Sequence, residues 1–180
     1  ELGLLDKCNT IKLVTEIPRE AKNYKYDPDA IEAIWEFSGG HPYYTQLLCS
    51  NLFQQARNKG KWNVTYQDVQ GVINKSLEEG EPAFVSPLEV LSTQQKLILS
   101  AVAEAQKRAT NSEHIVSPLV ILEMYDVKVT SNLIEELITA AKHLVDLKFI
   151  GEIGKQKFRK RRVPIYKVRI ELFRLWLLKQ

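Results

Sequence analysis

Ser38-Gly39-Gly40-His41-Pro42-Tyr43-Tyr44-Thr45-Gln46-Leu47-Leu48-Cys49 decides how this 180-residue chain is read. Two glycines stop one helical pattern, and Pro42 sits at the first position of the next helix, where a missing N–H costs nothing. The chain is therefore expected to turn a sharp helix-turn-helix corner. No formal charge occurs from Phe37 to Ala56, although both flanks are charged, and the stretch holds too much Ser, Gln, Asn, Gly and Tyr to span a membrane. Such a charge-free corner predicts close packing against a ligand or a neighbouring domain.

Outward from the corner, the patterns are helical. Ile11, Val14 and Ile17 predict a short helix over 6–17 that Pro18 stops. Asp27-Pro28 reads as N-cap and first helical residue, followed by the apolar stripe Ile31, Ile34 and Trp35. The helix from Pro42 to Arg57 is expected to bury Tyr44, Leu47, Leu48 and Leu52 and to end near Gly60. Trp62-Asn63-Val64 reads as a short extended link. Thr65-x-x-Asp68 resembles a capping box with Asp in place of Glu or Gln, and Val64 and Val69 are spaced as a hydrophobic staple. Residues 1–81 thus read as a small all-α module.

Residues 80–91 carry Pro82 and Pro87, which predict a break in the helical period and a domain junction. The apolar residues of this stretch predict that the two modules share an interface. Ser92-x-x-Gln95 is a second capping box, opening a helix with Leu97, Ile98, Ala101, Val102 and Ala105 inward. After a polar loop from Arg108 to Glu113, Ser117-Pro118 starts a short helix, and Asn132 with Glu135 is expected to cap a third. Residues 149–153 and 163–170 read as β-strands flanking a basic loop, and 171–177 as a short apolar helix. Three helices and a hairpin is the winged-helix plan, so 82–180 is expected to be a winged-helix domain that includes the C-terminal helix.

Composition narrows the class. Hydrophobic residues make up 44% and charged residues 26%, as expected of a globular chain. No run of about 18 apolar residues occurs, the first residue is Glu1, and no signal segment precedes the first helix, so a cytoplasmic fragment of a longer protein, without membrane contact, is expected. Cys8 and Cys49 lie far apart and predict core thiols in a reducing compartment, not a disulfide framework. The net charge of +3 hides an asymmetry: 1–147 carries −6 and 148–169 carries +8. An anionic partner is therefore sought near the hairpin.

Gly39-Gly40-His41-Pro42-Tyr43-Tyr44-x-Gln46-Leu47-Leu48-Cys49 resembles the turn in the helical lid of P-loop ATPases of the AAA+/STAND type, a group that includes origin-recognition ATPases and many microbial ATP-binding proteins. Phe173-Arg174-x-Trp176-Leu177 resembles the ending found after the wing in the same group. Gly-Gly as a cap and Pro as a start would serve any αα-corner; the flanking residues and the tail carry the likeness, which covers nearly the whole chain. The resemblance implies that Gly40, His41 and Pro42 close over the adenine of ATP or ADP held by an upstream P-loop domain of the same protein. No sensor arginine is obvious, since Arg57 lies at the end of its helix, and this would suit a switch more than a fast motor.

The chain has no Gly-x-x-x-x-Gly-Lys-Ser/Thr loop and no Walker-B strand, so the fragment is expected to be non-catalytic and to hold no cofactor by itself. His41, His114 and His143 lack the close spacings of metal ligands. The basic run supplies Lys155, Lys157, Arg159, Lys160, Arg161 and Arg162, cations suited to phosphates of DNA. The helix before it carries Glu135, Glu136 and Asp146 against Lys142, which opposes sequence reading in the major groove. The first expectation is a regulatory fragment whose lid closes over nucleotide and whose winged helix relays that state to a partner, protein or DNA. The second is nucleic-acid binding through the basic wing with little sequence preference. A freestanding regulator with a helical dimerisation module is the third.

Overall fold

The computed structural model describes residues 3–16, 24–110 and 114–180. Ile17 and Pro18, expected to close the first helix, and Asn111, Ser112 and Glu113 of the polar loop lie outside them. The fold is mainly helical with a small antiparallel sheet, and it divides into two compact units. One comprises Glu1–Phe84 with Ile170–Trp176, the other Val85–Arg169 with Leu177–Gln180.

The first unit contains α1 (Lys7–Glu16), α2 (Pro28–Ser38), α3 (Pro42–Lys59) and α4 (Tyr66–Glu79). Helices α2, α3 and α4 pack on one another, with α1 against α2 and α3. Val14, Ile34, Leu48, Leu52 and Val69 fill the centre, while Leu47, expected inside, is half-buried. The expected capping box at α4 is complete: Thr65 Oγ1 accepts from Asp68 N, and the Asp68 carboxylate accepts from Thr65 N. Asp27 stands at the N-cap of α2 in extended conformation, but its carboxylate accepts from Asn63 Nδ2 at 3.0 Å instead of capping the helix. That bond accompanies a parallel pair of short strands, β1 (Lys25–Tyr26) and β2 (Asn63–Val64), so the expected extended link pairs with the chain before α2.

Helix α5 (Glu81–Glu89) departs from expectation, because two prolines were expected to interrupt it. Pro82 lies in the first turn, where an N–H has no intrahelical partner to lose. Pro87 leaves the Ala83 carbonyl without its helical donor. The Tyr44 hydroxyl supplies one, donating to Ala83 O at 3.1 Å. The junction between the two units therefore falls inside a helix, after Phe84.

The C-terminal helix α9 (Glu171–Leu177) forms as expected, but Ile170–Trp176 belongs to the first unit and not to the hairpin-bearing one. An aromatic stack explains this membership. The Tyr44 and Phe84 rings lie 4.9 Å apart and nearly parallel, Phe84 and Trp176 follow at 5.5 Å, and Phe173 and Trp176 at 6.1 Å. Each ring is largely withdrawn from water, and stacked pairs add to the stabilisation from burial alone.

The second unit is built on α6 (Thr93–Arg108), which packs against α7 (Pro118–Met124) and α8 (Ser131–Asp146). The Ser92–Gln95 capping box is present with both bonds. The expected cap of α8 moves two residues upstream, from Asn132 to Thr130, whose hydroxyl accepts from Leu133 N while its backbone is extended. Ile134, Leu137, Ala141 and Leu144 form the buried stripe of α8. Strands β3 (Ile150–Phe158) and β4 (Arg161–Val168) pair antiparallel, with β4 against α6 and β3 against α8.

Two outcomes test this account of the first unit. Gly40→Ala is expected to cost more than about 2 kcal/mol, because a non-glycine residue is strained at φ 73° and its Cβ would stand 2.3 Å from the Leu5 carbonyl oxygen; urea unfolding reads the loss. Burial works against the Asp68 carboxylate, but hydrogen bonds from Lys61 and Thr65 prevail and hold its pKa at about 2, against an ordinary 3.8. Its contribution to stability is then present above pH 3.8 and is lost as pH falls towards about 2. Asp68→Asn is expected to flatten the acid limb of the unfolding midpoint plotted against pH.

Candidate functional site

The corner forms because two consecutive residues adopt the left-handed region that glycine enters without steric cost. Gly39 (φ 56°) caps α2 by donating to Trp35 O, and Gly40 (φ 73°) turns the chain into α3. Gly40 N donates to Ser38 Oγ at 3.2 Å, and the Gly40 carbonyl accepts from Leu5 N at 2.8 Å. Gly40 is buried, with the Leu5 carbonyl and the Trp35 ring occupying the space of a side chain. Of the three residues assigned to nucleotide by resemblance, Gly40 is therefore occupied in shaping the turn, and His41 and Pro42 are half-buried at its edge.

His41 is the chemically distinctive residue of the corner. Its ring lies 4.6 Å from that of Tyr44, and its Nδ1 is buried with no hydrogen-bond partner among the described residues. Burial disfavours the imidazolium and lowers the His41 pKa from its ordinary 6.5. The corner thus holds a neutral imidazole whose unpartnered nitrogen is turned inward, next to Tyr43, which is 42% exposed.

The basic run takes a different form from the expected loop. Strand pairing continues through it to Phe158 and Arg161, leaving only Arg159 and Lys160 as the turn. Residues opposite each other in a ladder share a face. Gln156 pairs with Val163 and Phe158 with Arg161 on the inner face, where Phe158 and Val163 are buried and Gln156 Oε1 accepts from Ser117 N. Lys157 pairs with Arg162, and Lys155 with Pro164, on the other face.

This alternation divides the six predicted cations. Lys155, Lys157 and Arg162 on the outer face and Lys160 at the turn are exposed and have no ion-pair partner among the described residues. Arg159 is an anchor: it donates to the Val129 carbonyl at 2.9 Å, forms an ion pair with Glu123 of α7, and lies 5.3 Å over the Phe158 ring. Those contacts hold the turn at the positive φ of Arg159 (53°). Arg161 forms an ion pair with Glu135 of α8. No local spacing signals either acid as a partner, since Glu123 precedes Arg159 by 36 residues and Glu135 precedes Arg161 by 26.

Each unit also carries an open groove. In the first unit, Asp27, Asp29, Glu32, Glu36, Thr65 and Tyr66 line a groove of about 500 Å³ that excludes the corner residues. In the second, a groove of about 600 Å³ includes Ser92, Gln95, Glu135, Glu136, Thr139 and His143. No set of three or more His, Cys, Asp or Glu side chains among the described residues is arranged to hold a metal ion.

The lowered pKa of His41 has a definite sign. Between its folded value and 6.5 the unfolded chain binds more protons, so stability falls as pH drops below about 6.5. His41→Gln is expected to reduce that fall, read as urea midpoints from about pH 5 to about pH 7.

No protein-family model, no curated protein and no solved structure matches this chain.

Proposed function

We propose that this chain is a non-catalytic regulatory fragment of a STAND/AAA+-like ATPase, a helical lid followed by a winged helix, whose hairpin binds the phosphate backbone of duplex nucleic acid. The observation that carries the binding reading is the set of four uncompensated cations, Lys155, Lys157, Lys160 and Arg162, on one hairpin face and its tip. Cations so arranged neutralise successive phosphates and release counterions, giving affinity without base contacts.

Sequence reading is disfavoured. The exposed residues of α8 include Glu135, Glu136 and Asp146 beside Lys142 alone, so this helix would meet phosphate with net negative charge. The hairpin also lacks a stacking platform for splayed bases, because Phe158 and Tyr166 are buried. Backbone contact to duplex therefore accounts for the available groups better than recognition of single strands. On the lid side, the charge-free corner with its exposed Tyr43 supports a surface that closes on nucleotide held by an upstream P-loop domain.

Fluorescence anisotropy with a short duplex across a salt series tests the reading. Four phosphate contacts predict a log–log slope of about −3.6, a loss of roughly 10²-fold between 50 and 200 mM salt, with similar affinity for unrelated sequences. Changing Lys155, Lys157, Lys160 and Arg162 together to Ser is expected to abolish binding while circular-dichroism melting stays that of the parent chain. Absence of binding at low salt overturns the nucleic-acid reading and leaves the hairpin as a protein-docking element of the switch.

A further inference from the structure

We infer that Glu135 holds Arg161 against α8, so that the hairpin engages an anionic backbone with four cations while a fifth, on the inner face beside the turn and 54% exposed, is withheld. This rests on the polyanion reading above and concerns how that site is limited.

The two arginines of the run that carry ion pairs are held in different ways. Arg159 has three partners on three different segments: the Val129 carbonyl, the Glu123 carboxylate and the Phe158 ring. Removing it from those contacts would free the turn that it clamps, so Arg159 is part of the fold. Among the described residues Arg161 has one partner, Glu135, and both members of that pair are more than half exposed. An ion pair this open to water is weak, whereas an arginine facing phosphate can form a bidentate, charge-assisted contact. Of the two paired arginines, Arg161 is thus the more readily transferred to a ligand, and the Glu135 carboxylate is the group that competes for it.

The position of Glu135 strengthens the effect. It stands on the exposed side of α8 next to Glu136, lining a groove with Thr139 and His143. The carboxylate therefore acts twice, by occupying Arg161 and by adding negative charge beside the path of a bound backbone. Glu136 supplies a charge-matched comparison, since it carries the same charge one residue further along α8 and has no ion-pair partner among the described residues.

The test compares the parent chain, Glu135→Gln, Glu136→Gln and Glu135→Gln/Arg161→Gln for binding to a fluorescent DNA duplex across a salt series. Glu135→Gln is expected to bind about 2- to 5-fold more tightly at moderate salt, the range set by the strength of an exposed ion pair. Its salt dependence should steepen by about 0.9, the contribution of one further phosphate contact. Glu136→Gln should tighten binding less and leave the slope unchanged. The double variant should return to the parent slope, because the released arginine is then absent. Equal effects of Glu135→Gln and Glu136→Gln, or a steepened slope that survives loss of Arg161, overturn the inference and assign the change to the general field of α8. A parent chain that binds with an unchanged Glu135→Gln variant also overturns it, while leaving the backbone-binding reading intact. A parent chain that does not bind duplex at low salt removes both.

Discussion

At Gly40 the backbone stands at φ 73° with the Leu5 carbonyl and the Trp35 ring filling the place of a side chain, and the arrangement of the first unit follows from that close approach. Because no Cβ intervenes, the segment before α1 can donate from Leu5 N to the Gly40 carbonyl, which ties the start of the chain to the turn between α2 and α3. The turn in turn sets the direction of α3, and α3 presents Tyr44 to Phe84 and Asn51 to Ser76 of α4, to which Asn51 Nδ2 donates. A side chain at this one position would force apart elements that are distant in sequence, at the cost expected of a strained left-handed residue and a steric clash together.

Tyr44 extends the same arrangement to the end of the chain. Its ring begins the stack that continues through Phe84 to Trp176 and Phe173, and its hydroxyl satisfies the Ala83 carbonyl that Pro87 leaves without a donor. One residue thus makes a proline tolerable inside α5 and backs Phe84, the ring on which α9 packs. Burial and the hydrogen bond act together here, since an aromatic ring can remain in an apolar layer while its polar tip reaches a carbonyl. Burial also pushes the Tyr44 hydroxyl well above its ordinary pKa, so it remains a neutral donor.

In the second unit, strand alternation converts a run of cations into two populations with different tasks. Inner-face geometry sends Arg161 towards α8, and the turn directs Arg159 to α7 and the Val129 carbonyl, while the outer face keeps Lys155, Lys157 and Arg162 in water. The acids Glu123 and Glu135 therefore reduce the free positive charge of the hairpin below what composition alone suggests. The polyanion reading depends on the cations left over, and its strength is set by which arginines the helices retain.

Several features were legible in the sequence because they are local. The Gly-Gly stop, the proline starts and both capping boxes depend on residues within four positions of each other, and they form as read. The apolar stripe of α8 and the two strands are also periodic features that need no partner to be seen. Other features depended on tertiary contacts. Whether α5 continues past its prolines was decided by a hydroxyl 39 residues from the carbonyl it serves, and the membership of α9 by rings on α3 and α5. Which cations remain free was decided by acids 26 and 36 residues away. By itself the sequence determined where most helices begin, where the chain must turn and where its positive charge accumulates, because chain geometry and local hydrogen bonding act over a few residues. Only the tertiary structure decided which of those charges are neutralised and which helices pack together, because ion pairing and burial depend on neighbours that the chain brings together on folding.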